Sequence, residues 1–172
     1  NDAPQVEHII LNGDEDVNIN ITLNGEDVEG DQLIYSVVDI PLNGSFSLTD
    51  NILTYSPHLN FYGEDQISYI ANDGELDSEE GIVTIIISAV NDSPTSEDMT
   101  ITLYEDNLYN FEFIVSDVDN SNDELSIWIL DELNFGVLTV SGLEGTLLPI
   151  ENINGEFTIS YQVLDGSLFS DP

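Results

Sequence analysis

Apolar and polar residues alternate with a period of two along much of this chain. In VNINITL (17–23) the apolar positions are Val17, Ile19, Ile21 and Leu23, with Asn18, Asn20 and Thr22 between them. YNFEFIV (109–115) repeats the pattern through Tyr109, Phe111, Phe113 and Val115, and QISYIA (66–71), FTISYQV (157–163) and ELSIWIL (124–130) alternate as well. Successive side chains of a strand point to opposite faces, so each segment predicts a half-buried antiparallel strand. GIVTIIISAV (81–90) is apolar almost throughout, which predicts a strand covered on both sides. Asn-Gly, Asp-Gly and Gly-Glu-Asp separators predict turns. No capped stretch of helical period and length occurs. About six or seven short strands in each ninety residues predict a β-sandwich.

The pattern occurs twice. NDAP (1–4) returns as NDSP (91–94). Displaced by 90 residues, Glu15-Asp16 meets Glu105-Asp106, and Asp27-Val28-Glu29 meets Asp117-Val118-Asp119. A two-residue insertion shifts the offset to 92, where Leu33 meets Leu125, Tyr69 meets Tyr161, Asp73-Gly74 meets Asp165-Gly166 and Ser78 meets Ser170. PLNGSFSL (41–48) is similar to ELNFGVLTV (132–140) with one slip. This ordered agreement predicts two homologous units: 1–90, led by linker 1–4, and 91–172, led by linker 91–94. The second has no counterpart of GIVTIIISAV before Pro172, which leaves an apolar edge inviting pairing. Either the segment ends early or a neighbouring chain supplies the strand. The linker-like start predicts a piece of a longer polypeptide.

Charge changes the picture. The chain holds 35 Asp and Glu and no Lys or Arg, a net charge of −35. A globule of this mass has roughly 8,400 Å² of surface, so evenly spread carboxylates would stand ~15 Å apart. That exceeds the ~8 Å screening length at physiological salt. EDVEGD (26–31), DGELDSEE (73–80) and DVDNSNDE (117–124) crowd them instead. With no basic side chain, only bound cations, proton uptake or solvation can relieve such clusters. Nucleic-acid binding is excluded, because Lys and Arg must replace counterions on phosphates. Anionic membranes are repelled, no apolar run reaches spanning length, and no basic-then-apolar signal peptide is seen. The absence of Cys is compatible with a secreted protein braced by something other than disulfides.

Catalytic chemistry is not visible. His8 alternates with Val6 and Ile10 as an outward strand residue, and His58 follows Ser56-Pro57 in a turn. Neither has a Ser, Cys or metal-binding partner at motif spacing. Trp128 lies between Ile127 and Ile129 and faces outward if they face the core. There it could stack on a sugar or cover a neighbouring strand or domain. The chain reads as a non-enzyme.

LTYSPHLNFYGEDQISYIANDG (53–74), the Asn-Asp-x-Pro linkers, Glu-Asp before the second strand and the acidic x-acidic triplet after it carry a family resemblance. The unit resembles the cadherin-like tandem repeats of large bacterial surface and secreted proteins. The resemblance implies an all-β fold of two Greek-key sandwiches, cadherin- or immunoglobulin-like, with calcium held where successive domains meet. It assigns Glu15, Asp65, Asn91, Asp92, Asp117, Asp119 and Asp165 to the central junction. Asn1, Asp2, Asp27, Glu29 and Asp73 form the matching N-terminal set, and Glu105 and Glu156 would face a following domain. Ca²⁺ takes about six to eight hard oxygen ligands, which such loops offer. The linker Ala89-Val90-Asn91-Asp92-Ser93 has lost an Asp and an Asn of the family pattern. The expectation is therefore about one or two ions per junction, with Asp123 of the longer second loop as a substitute ligand.

The function implied is a calcium-rigidified extender or adhesion segment of a large extracellular bacterial protein. Its partners would be neighbouring repeats, with homophilic, strand-exchange or polysaccharide contacts. Two alternatives stand beside it: a carbohydrate-binding module using Trp128, Tyr35, Tyr55 and Tyr62, or a filament subunit completed by a partner's strand. A third treats the acidity as adaptation to high salt.

Overall fold

A computed structural model describes every residue except Leu103, Glu105 and 154–157. Glu105, Glu156 and the Phe157 start of one expected strand thus lie outside the described residues. Within them the chain is all-β and divides into two compact units, Asn1–Val90 and Asn91–Pro172. No described helix is long and apolar enough to cross a membrane.

Unit 1 contains β1 (Gln5–Val6), β2 (Ile9–Asp14), β3 (Ile19–Thr22), β4 (Gly25–Glu26), β5 (Ile34–Val37), β6 (Gly44–Thr49), β7 (Ile52–Pro57), β8 (Gly63–Asn72) and β9 (Gly81–Ser88). They form sheets β2-β9-β8-β5 and β3-β7-β6 and the short pair β1-β4. Every pairing is antiparallel except β2 with β9. Alternation places Ile21, Leu23, Leu53, Tyr55, Ile67, Tyr69, Val83, Ile85 and Ile87 in one buried cluster. Each such side chain contributes about 1.5–3 kcal/mol relative to exposure.

Two expectations are corrected here. β9 is covered on one face only: Val83, Ile85 and Ile87 are buried, whereas Ile82 and Ile86 are 37% and 40% exposed. Its inner face packs on the second sheet, and nothing in this unit covers the outer one. Val17 is 56% exposed, because β3 starts only where Ile19 pairs with Tyr55.

Unit 2 contains β10 (Thr95–Ser96), β11 (Tyr109–Glu112), β12 (Val115–Ser116), β13 (Ser126–Ile129), β14 (Gly136–Ser141), β15 (Glu144–Pro149) and β16 (Tyr161–Leu164). Its sheets are β11-β15-β14, β13-β16 and β10-β12. The hairpin pairing Gly44 with Pro57 reappears as Gly136 with Pro149, and Val37 with Tyr69 as Ile129 with Tyr161. Leu125, Leu143 and Val163 centre its core, joined by Val115, Ile127 and Tyr161. The Phe113 ring lies 5.2 Å from Phe111 and 4.8 Å from Tyr161. Among the described residues nothing takes the place of β9.

Candidate metal centre

Each unit gathers its acidic loops around its own leading Asn-Asp pair, and the local physics is the same in both. In the Asp73-Gly74 turn, Asp73 Oδ1 accepts from the backbone N–H groups of Glu75 (2.7 Å) and Leu76 (2.8 Å). In Asp165-Gly166, Asp165 Oδ1 accepts from Ser167 (2.5 Å) and Leu168 (2.7 Å). A short carboxylate reaching two residues ahead makes an Asx turn. The following glycine takes φ of +105° at Gly74 and +104° at Gly166, which a side chain would strain.

The free carboxylate oxygen of each turn faces the linker. Asn1 Nδ2 donates to Asp73 Oδ2 at 3.0 Å, and Asn91 Nδ2 donates to Asp165 Oδ2 at 2.7 Å. The next linker residue is held through its backbone: the Asp2 N–H donates to Glu29 Oε2 (3.2 Å), and the Asp92 N–H to Asp119 Oδ2 (2.7 Å). Asp27 Oδ1 accepts from Asp31 N–H (2.9 Å), and Asp117 Oδ1 from the N–H groups of Asp119 and Asn120 (2.8 Å each). The structure therefore ties Asn1 to Asp73 and Asp2 to Glu29 in unit 1, and Asn91 to Asp165 and Asp92 to Asp119 in unit 2; Asp27 and Asp117 bond within their own loops.

These bonds stabilise the charged forms. The Leu168 N–H, then the Asn91 amide, hold the Asp165 carboxyl below its ordinary range. The Leu76 N–H, followed by that of Glu75, does so for Asp73. In the longer second loop the Ser121 hydroxyl shares its single proton between Asp123 (2.6 Å) and Glu124 (2.8 Å), lowering both.

Other oxygens have no donor. Asp27 Oδ2, Asp92 Oδ2, Asp117 Oδ2 and Asn120 Oδ1 are buried without a hydrogen-bond partner. An unsatisfied buried acceptor costs about 1–3 kcal/mol, more when charged. The donor chemistry fits a hard cation such as Ca²⁺. The convergence is incomplete, however: among the described residues no three Asp, Glu or His side chains come close enough to form a finished cage. Asn120 was not anticipated from sequence; its signal was the two-residue insertion that lengthens this loop.

Asp65 is placed differently. It is buried, with Oδ1 accepting from the N–H groups of Leu42 (3.0 Å) and Gln66 (2.9 Å). Oδ2 accepts from Asn43 N–H (2.8 Å) and the Tyr55 hydroxyl (2.9 Å). Protein donors engage both oxygens, so Asp65 braces the 41–43 loop. Burial, then the Asp65 bond and charge, push the Tyr55 hydroxyl well above its ordinary pKa. Glu15 is also buried, and its Oε1 accepts from the Val90 N–H at 2.6 Å.

The remaining candidates disperse. His8 is exposed, and its Nδ1 accepts from the Ile82 N–H at 3.0 Å. Trp128 faces outward, 54% exposed, edge-on to Phe169 at 5.8 Å. Tyr55 is fully buried and Tyr35 tilts against Tyr69, so the tyrosines named for a sugar platform form no common surface.

Tandem sandwiches led by acidic linker clusters define a repeat module of immunoglobulin or cadherin type. The chain belongs to the Bacterial Ig domain family, which matches it over residues 1–86 and again over 91–171. It is 29% identical over 105 residues to integrin beta-like protein B of Dictyostelium discoideum, covering 61% of this chain but only 5% of that protein. Among solved structures it is similar to extracellular cadherin domains 3–6 of protocadherin gamma B2. There the TM-score is 0.56 at 16% identity, covering 93% of this chain and 42% of that one. The protocadherin gamma B7 domains 3–6 align at a TM-score of 0.54 and 13% identity, covering 98% and 51%. Likeness at these identities concerns the fold alone.

Proposed function

We propose that this chain is a calcium-stiffened spacer in a large extracellular, adhesion-type protein, each unit taking up calcium at the acidic cluster around its leading Asn-Asp pair. The observation that carries this reading is the set of buried, unpartnered oxygens on Asp27, Asp92 and Asp117 in a chain without Lys or Arg. A divalent cation there answers acceptors that no side chain of the protein can reach as a cation. Asn1 and Asn91, Asp2 and Asp92, Asp27 and Asp117, Glu29 and Asp119, and Asp73 and Asp165 are the residues that would hold it. Asp65 is left out of the set.

Bound metal supplies charge neutralisation and fixed coordination; the protein supplies position. Asp92 belongs to the linker and Asp117 and Asp119 to the loop after β12, so a shared ion restrains the linker relative to the sandwich it enters. Resemblance to extracellular cadherin domains and to an integrin beta-like protein supports the extracellular, adhesive setting.

Extracellular calcium sites bind with Kd of roughly 10⁻⁴–10⁻³ M. At ten- to a hundredfold excess each adds about 1.4–2.7 kcal/mol. Calorimetric titration with calcium, set against magnesium and potassium, tests the reading. Asp117→Ala with Asp119→Ala is expected to remove the unit 2 response and spare that of unit 1. An unchanged response, or equal stabilisation by potassium, overturns the assignment.

A further inference from the structure

Asn-x-Ser/Thr, with any residue but proline in the middle, is the acceptor sequence of N-glycosylating enzymes. It occurs here as Asn20-Ile21-Thr22, Asn43-Gly44-Ser45 and Asn91-Asp92-Ser93. The structure separates the three. Asn91 already uses its amide, whose Nδ2 donates to Asp165 Oδ2 at 2.7 Å and to the Asp92 carbonyl at 3.1 Å. Asn43 is half-buried, and its backbone is pinned from both sides. Its N–H donates to Asp65 Oδ2 at 2.8 Å, and its carbonyl accepts from the His58 N–H at 2.8 Å. Asn20 and Thr22 are both exposed.

β3 presents that pair for local reasons. Period two turns Ile19 and Ile21 toward the core and leaves Asn20 and Thr22 on the outer face, about 7 Å apart along the strand. β3 pairs with β7 and, among the described residues, with no other strand, so one backbone edge is open. An extended segment with an open edge is a form that peptide-reading proteins accept by pairing with it. Thr54 Oγ1 donates to Asn20 Oδ1 at 2.7 Å. The amide is thus held by its oxygen, while its nitrogen makes no hydrogen bond among the described residues.

We propose that Asn20 is an N-glycosylation site, taking a sugar from a phosphate-activated donor. Asn20 Nδ2 forms a bond to C1 of the sugar, and the bond from C1 to the phosphate oxygen breaks. The phosphate leaves with that electron pair, and a base of the transferase takes the amide proton. Unit 2 keeps the arrangement but lacks the acceptor sequence. Thr146 Oγ1 donates to Oδ1 of the exposed Asn110 at 3.0 Å, yet two residues on stands Glu112. The neighbouring rows differ in the same sense. Thr22 stands in line with Ile52 and Thr49, and Asn20 with Thr54 and Ser47, rows without a carboxylate that suit a neutral sugar. In unit 2 Glu112 stands opposite Glu144. Asn20 belongs to neither linker cluster.

The test uses the folded full chain made in a host without N-glycosylation, a purified transferase specific for Asn-x-Ser/Thr, and a nucleotide-activated glucose. Peptide mass mapping is expected to find a hexose on Asn20, with Asn43, Asn91 and Asn110 bare. Thr22→Ala is expected to abolish the modification and Thr22→Ser to keep it, and calorimetry of the unit 1 transition verifies that both variants are folded. Glu112→Thr, which completes the acceptor sequence in unit 2, is expected to add a second hexose at Asn110. Asn20 is not the acceptor if the folded chain leaves it bare, if Asn43 or Asn91 is filled in preference, or if Thr22→Ala is modified as before. An Asn110 that stays bare in Glu112→Thr overturns the proposal as well, because the shared presentation of the amide would then not suffice.

Discussion

Replacing Asp65 by asparagine separates a structural carboxylate from a metal ligand. The native side chain accepts four hydrogen bonds at 2.8–3.0 Å. An amide can keep its oxygen on the Leu42 and Gln66 N–H groups, and the Tyr55 hydroxyl can rotate to accept from the new NH₂. The Asn43 N–H then faces a donor and is stranded. One orphaned buried donor, with the loss of charge assistance from the other bonds, amounts to about 2–4 kcal/mol. For a unit of this size that lowers the melting temperature by about 10–20 °C. Scanning calorimetry of the whole chain, with Trp128 reporting unit 2, resolves the effect. The unit 1 transition is expected to fall by the same amount in chelator and in calcium, while the Trp128 transition stays in place. A loss that appears only with calcium present would show Asp65 to be a ligand and refute the reasoning.

Other outcomes follow from the same geometry. Gly81→Val forces a side chain against the Tyr69 ring and the Glu7 carbonyl, and is expected to cost unit 1 about 1–3 kcal/mol, measured by calorimetry. Ser170 is buried, accepts from the Val163 N–H at 3.0 Å and donates to the Asp171 carbonyl at 2.8 Å. Ser170→Ala is expected to destabilise unit 2 by about 1–3 kcal/mol in the Trp128 urea transition. Asp73 and Asp165 have pKa values below their unfolded ones, so their stabilisation is complete above the ordinary carboxylate pKa of about 4. It is lost as pH falls through their lowered folded values. Melting temperatures measured from pH 5 downward should decline, and Asp73→Asn with Asp165→Asn should flatten that decline.

Much of the fold was legible because β-structure writes itself in period two. Ile19, Ile21 and Leu23, or Ile67, Tyr69 and Ala71, announce an inner face, and the change of offset from 90 to 92 located the longer loop before it was seen. The Asp-Gly turns were equally readable, since Asx acceptance and positive φ at glycine are local events. β9 misled because apolar residues on both faces read identically whether or not anything covers the second. The bracing role of Asp65 was hidden for a different reason. Its donors at Leu42 and Asn43 lie more than twenty residues away, and no local pattern marks a backbone N–H aimed at a distant carboxylate. The register held a clue: at an offset of 92, Tyr55 becomes Leu147 and Asp65 becomes Phe157. Both members of a hydrogen-bonded pair are replaced together by apolar residues, as expected when each exists for the other.

The hydrogen bonds of Asn1 to Asp73 and of Asn91 to Asp165 clasp each leader to the body that comes after it. A gene segment copied from one Asn-Asp pair to the next therefore carries a module together with its own fastening. Lengthening such an array by duplication copies the fastening together with the fold, and each copy can then drift in its interior while its entry stays the same.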